Sequence, residues 1–222
     1  MKAIIVFCMF LITLPVLAGT YRDDFENEQD FINDCQNGVW IEDTNLFTWE
    51  NGYVKTESLG GVAISFGDLN WKDYTVECKI RPIQVESFGI NLVIRRTCTF
   101  CTPCYSLTLT GKEANIYVDV FTYLTGCPFE LEVGKWYTLK AVAQGSKIEF
   151  YVDGKLLVKT EDSKYPAGWV GFGSFASAIF DDFVMTGPEV KDGGHWDPKT
   201  HDQLTAVKPQ NNLAVTWGQI KK

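Results

Sequence analysis

From Tyr21 to Thr186 the chain alternates apolar and polar residues with a period of two, and turn residues break the pattern at short intervals. The run "YTVECKIR" is the clearest case. It predicts a strand with Tyr74, Val76, Cys78 and Ile80 on one face and Thr75, Glu77, Lys79 and Arg81 on the other. "GVAISFG", "GINLVIRR", "YSLTLT", "NIYVDVF", "WYTLKAVA", "KIEFYV", "KLLVKT", "WVGFGSF" and "AIFDDFVM" read the same way, and no stretch carries a helical repeat. Asp153-Gly154 predicts a tight hairpin between two patterned strands, with further turns at Asn51-Gly52 and Gln144-Gly145. About a dozen short strands with regular turns predict an all-β fold, a two-sheet antiparallel jelly-roll sandwich.

The pattern is absent at both ends. Residues 1–18 hold Lys2, an apolar run from Ala3 to Leu14, then Pro15 and the small-residue site Val16-Leu17-Ala18. This is the grammar of a secretory signal peptide. The apolar run is too short to cross ~30 Å of hydrocarbon, so no membrane span is expected. Residues 19–188 then form one jelly-roll domain, and residues 189–222 read as a polar linker and short C-terminal tail that carries both histidines, His195 and His201. The expected location is secreted, extracellular or periplasmic.

Export changes how the cysteines read. The chain has seven. Cleavage removes Cys8 and leaves Cys35, Cys78, Cys98, Cys101, Cys104 and Cys127, an even number in an oxidising compartment, which favours disulfides. The C-x-x-C-x-x-C run at Cys98, Cys101 and Cys104 has no histidine near it to complete a zinc site. Spacing does not choose the pairs.

Charge narrows the partners. Lys and Arg number 20 against 28 Asp and Glu, for a net charge of −8, and no basic stripe occurs. Nucleic acid is therefore not an expected partner.

"DDFEN", "WKDYTVECKIRP", "VGKWYTLKAVAQGSKIEFYVDGKLL" and "YPAGWVGFGSFASAIFDDFVMTG", taken in order, resemble the concanavalin A-like jelly roll. More narrowly they are similar to the bacterial laminin-G-like and family-16-like modules of exported proteins, a group that includes a family acting on keto-disaccharides. The resemblance implies a poly- or oligosaccharide bound on the concave face of one sheet. It also implies that the two terminal strands are neighbours, where a structural Ca²⁺ can sit between Asp24 and Asp182, and that Trp136 is a core residue. The fold alone does not imply the activity.

Alternation indicates which side chains would face the sugar. Ile90, Leu92 and Ile94 go inward, leaving Asn91, Val93 and Arg95 outside; Tyr105, Leu107 and Leu109 go inward, leaving Ser106 and Thr108. Ile116, Val118 and Val120 go inward, leaving Tyr117 and Asp119. Trp169 would stand at a rim. Hydroxyls, amides and an aromatic platform suit a sugar, and the same set also suits an ordinary solvated sheet face.

Catalytic signals are sparse. "EQDFIN" lacks the final acid of a Glu-x-Asp-x-x-Glu arrangement, and Glu77 and Asp119 are the outward acids left to pair. The expectation is a non-catalytic, disulfide-stabilised glycan-binding module. A glycoside-processing hydrolase on the same fold is the rival, and a structural extracellular interaction module the third reading.

Overall fold

The computed structural model describes residues 18–42, 46–57, 61–85, 89–98, 103–119 and 121–196. The signal segment before Ala18, Cys101, Val120, His201 and the tail after Trp196 lie outside these residues. Strand β1 (Gly19–Asp23) leads into helix α1 (Glu28–Gln36) and three short strands, β2 (Trp40–Glu42), β3 (Phe47–Trp49) and β4 (Val54–Thr56). Longer strands follow: β5 (Val62–Phe66), β6 (Tyr74–Gln84), β7 (Ile90–Arg96), β8 (Tyr105–Leu109), β9 (Glu113–Val118) and β10 (Thr122–Pro128). The chain continues with β11 (Tyr137–Gln144), β12 (Lys147–Val152), β13 (Lys155–Glu161), β14 (Trp169–Ser174), β15 (Ser177–Gly187) and β16 (Gly193–His195).

These strands make two sheets. The first runs β13-β12-β11-β6-β15-β1-β16, with β4 alongside β15 and β3 alongside β4; the second runs β10-β9-β8-β7-β14-β5-β2. Each sheet buries one face against the other, as period-two strands require. Tyr74, Val76, Cys78 and Ile80 of β6 are all buried, and the residues between them are only partly so. The core is aromatic at one end. Trp40 is 1% exposed and touches Phe66, Phe172 and Phe183, while Phe172 stacks on Phe180 at 4.4 Å. The indole N–H of Trp40 donates to Asp23 Oδ2 at 3.1 Å, so the buried ring leaves no polar group unpaired.

Three expectations change. The helix α1 carries no visible repeat because only Phe31 of it is buried. It forms by its ends: Asn27 Oδ1 accepts from the backbone N–H of Gln29 and Asp30, and Glu28 and Asp30 sit in the first turn where the helix dipole favours acids. The segment read as linker gives the sheet a strand, since β16 pairs in parallel with β1, Asp23 opposite His195. Trp136 is 37% exposed and lies over the Arg81 guanidinium; its neighbour Tyr137, 3% exposed, is the residue that enters the core.

Candidate functional site

The second sheet differs from the first in being buried on both faces at its centre: every residue of β7 and of β8 is buried. Ile90, Leu92, Ile94, Tyr105, Leu107, Leu109, Ile116 and Val118 belong to the main core. Val93, Ala63 and Cys104 form a separate small cluster on the opposite side. The alternation therefore assigns Asn91, Ser106, Thr108 and Tyr117 to the outer face.

Strand register arranges that face in two rows. One reads Ser65, Gly171, Val93, Ser106, Tyr117, Tyr123 across β5, β14, β7, β8, β9 and β10. The next reads Ala63, Gly173, Asn91, Thr108, Asn115, Gly126. Asn115 Nδ2 donates to Tyr117 Oη and to Glu113 Oε2, both at 3.1 Å. Tyr123, 57% exposed, meets Tyr117 edge-on at 5.9 Å between ring centres. Trp169 is half-buried, opposite Arg96 at the start of β14, and alternation puts it on the same side, because Val170 and Phe172 point into the core.

Arg95 and Asp119 do not join this face. Each sits at positive φ, 50° and 54°, at a break in its strand. Pairing of β7 with β14 slips one residue between Trp169 and Gly171, a bulge that turns Arg95 away and gives the outer position to Arg96, whose Nη1 donates to Ser65 Oγ at 2.9 Å. Arg95 is fully buried instead. Its Nη2 donates to the carbonyls of Lys72 at 3.0 Å and Gly145 at 2.7 Å, and its Nη1 to that of Tyr165 at 3.3 Å. Asp119 accepts from Tyr165 Oη and Lys164 Nζ, which hold its carboxyl below the usual range, the ammonium contributing most. Both residues thus fasten the loop around Tyr165 to the end of the sandwich. Asn115 shares the parity of Tyr117 and was legible by one more step of alternation; the exchange of Arg95 for Arg96 has no local signal.

The acids end up apart from one another. Glu77 pairs with Lys140 on the first sheet while Asp119 pairs with Lys164 beyond the end of the second, so they form no catalytic pair. Strands β1 and β15 are neighbours, with Asp23 opposite Phe183. Asp182, however, is ion-paired with Lys79, and among the described residues no group of three His, Cys, Asp or Glu is placed to hold a metal ion. Burial, with the Asp182 charge second, pushes the Asp181 carboxyl up to about 7.

A second polar cluster closes the first sheet where β16 meets β1. His195 Nε2 lies 3.1 Å from Asp34 Oδ2 and its Nδ1 3.5 Å from Asp30 Oδ2; Tyr21 Oη donates to Asp34 at 3.3 Å. Behind them Asp23 is 2% exposed and accepts from the Phe25 N–H at 3.0 Å and from Trp40. Burial outweighs those donors and pushes its carboxyl up to about 6.

The cysteines divide. Cys98 is disulfide-bonded. Cys78 and Cys127 are free thiols, which corrects complete pairing. Cys78 faces the core from β6, where its thiol donates to the carbonyls of Lys79 and Asp181 at 3.4 Å, and burial pushes its pKa well up. Cys35 packs against the main core, and Cys104 is buried in the outer cluster.

Solved structures share this architecture. A carbohydrate-binding module from Bacillus subtilis, CBM66, matches with a TM-score of 0.60 at 18% identity, over 67% of this chain and 96% of that one. A galectin-like protein of unknown function from Bacillus subtilis matches with 0.57 at 14%, over 74% and 94%. The exoplasmic/lumenal domain of VIP36, bound to Ca²⁺ and Man3GlcNAc, matches with 0.52 at 11%, over 82% and 92%. No curated protein matches the sequence. At the level of sequence families, residues 47–187, well over half of the chain, match one family, and the chain belongs to it: galactocerebrosidase, C-terminal lectin domain.

Proposed function

We propose that this protein is an exported glycan-binding module whose ligand sits on the outer face of the second sheet. The observation that carries the reading is the burial of a polar row that the sandwich core does not need: Asn91, Ser106, Thr108 and Asn115 are each under 5% exposed, yet face away from the core. Polar side chains sunk in a face, with aromatic rings beside them, are what a sugar requires: fixed groups for its hydroxyls and a ring for its apolar side. Tyr117 and Tyr123 supply the rings, with Trp169 at the other rim. Membership of a lectin family and likeness to a carbohydrate-binding module and a mannoside-bound lumenal domain support the ligand class. The leader-like residues 1–18 and the Cys98 disulfide support export.

The test is a glycan array probed with wild type and Tyr117→Ala. Wild type is expected to retain one glycan class. The variant is expected to lose at least about tenfold in retention, while its melting temperature falls by less than about 3 °C, because the ring is only half-buried. Retention of no glycan by the wild type would overturn the proposal, as would a large loss of stability in the variant, which would turn Tyr117 inward.

A further inference from the structure

We infer that Asn91 and Thr108 determine the specificity of this face, and that together they bind two neighbouring hydroxyls of one uncharged sugar ring. The inference rests on the glycan reading above and narrows it. The two residues stand directly opposite each other across β7 and β8. Directly opposed side chains leave their strands about 5 Å apart, close enough to bind adjacent substituents of one ring. They are 4% and 3% exposed, and neither side chain hydrogen-bonds to another described residue.

Their polar atoms open onto the face: among the described residues the one side-chain nitrogen or oxygen that is fully buried without a partner is Arg95 Nε, so the Asn91 amide and the Thr108 hydroxyl remain reachable from outside. Their polar neighbours on the face are already engaged. Ser65 accepts from Arg96, Asn115 donates to Glu113 and Tyr117, and Ser106 lies 3.7 Å from Cys104 Sγ. The amide of Asn91 and the hydroxyl of Thr108 are therefore the hydrogen-bonding capacity the face holds in reserve: one C=O, one NH₂ and one OH, all uncharged. A sugar diol, in which each hydroxyl both donates and accepts, matches that set.

Space and charge agree with chemistry. The residue beside Asn91 on β14 is Gly173, so bare backbone flanks the amide and leaves room for a ring to lie against it. The two charged groups described on this face already have partners: Glu113, diagonal to Thr108 next to Asn115 on β9, and Arg96, beyond Val93 on β7. Arg96 is held by Ser65, and Glu113 is tied to Asn115. A carboxylated or sulfated sugar would bring its charge onto amide and hydroxyl groups that cannot neutralise it.

The experiment compares wild type, Asn91→Ala, Thr108→Val and Tyr117→Ala on one array. The array carries neutral glucosides, galactosides, mannosides and fructosides beside sialylated, sulfated and uronate-containing glycans, and each protein's melting temperature is measured. Wild type is expected to retain neutral glycans. Asn91→Ala and Thr108→Val are each expected to lose at least about tenfold in retention with a melting temperature unchanged or raised, since neither removes an internal hydrogen bond. Valine keeps the shape of threonine and removes only the hydroxyl, so it tests the contact without opening a cavity. Retention by both variants within about twofold of wild type, with Tyr117→Ala inactive, would overturn the role of the pair and leave the site standing. Wild-type retention of charged glycans alone would overturn the uncharged class. No retention of any glycan by the wild type would defeat the underlying reading itself.

Discussion

Replacing Asp23 with Asn is expected to stabilise the protein at pH 8 and destabilise it at pH 4. The carboxyl is 2% exposed and pushed up to about 6 from an ordinary 3.8, chiefly by burial. An acid whose folded value is raised binds more protons in the folded state than in the unfolded one between those two values. Stability therefore falls as pH rises from about 4 to about 6, and the loss is complete above that window. A shift of about two pH units corresponds to about 3 kcal/mol at pH 8, and to well under 1 kcal/mol at pH 4. Asparagine removes the charge, and with it that cost. Its side chain has one carbonyl where Asp23 accepts at both oxygens, from Phe25 N–H and from Trp40 Nε1–H, so one hydrogen bond of about 1 kcal/mol is lost at either pH. The net expectation is a gain of about 2 kcal/mol at pH 8 and a loss of about 0.5–1 kcal/mol at pH 4, a few degrees in opposite directions for a domain of this size. Paired urea melts of wild type and D23N at the two pH values measure it. Equal destabilisation at both would refute the reasoning, because it would show that Asp23 is not ionised against a burial cost.

Further expectations follow from the same geometry. Arg95→Leu is expected to cost about 3 kcal/mol or more in chemical denaturation, because it leaves the carbonyls of Lys72, Gly145 and Tyr165 without their donor in a buried setting; a loss below about 1 kcal/mol would show these bonds to be dispensable. Thiol titration in denaturant without reductant is expected to show at least two reactive thiols, Cys78 and Cys127, with Cys78 silent until the fold opens; a reading near zero would restore complete pairing. Adding Ca²⁺ or a chelator is expected to leave the melting temperature unchanged, since Lys79 already neutralises Asp182; a rise of several degrees with Ca²⁺ would place an ion there instead.

What could be read in the chain and what could not divides along the range of the interactions. Alternation is local. Because side chains point to opposite faces at every step, "YTVECKIR" reveals its buried set, and "GINLVIRR" and "YSLTLT" reveal the outer positions of Asn91, Ser106 and Thr108 before any partner strand is known. Aromatic and β-branched runs separated by turns imply two sheets, and the structure has two. Events that depend on a remote partner leave no such trace. The bulge at Arg95 exists because β14 pairs one residue out of step and because three carbonyls from distant loops accept from its guanidinium, which offsets a positive φ that a side-chain-bearing residue seldom adopts. Asp119 turns at the end of β9 for a similar reason, its carboxylate drawn to Lys164 and Tyr165 some 45 residues away. His195 looks like part of a linker until β1 offers its edge and α1 offers Asp30 and Asp34. The ion pair of Asp182 with Lys79, on the neighbouring strand β6, likewise appears only once the sheet is assembled. Local side-chain periodicity set the faces of the strands; the charges near their ends were placed by long-range pairing, whose electrostatic and hydrogen-bond energies exceed the small local preferences they override.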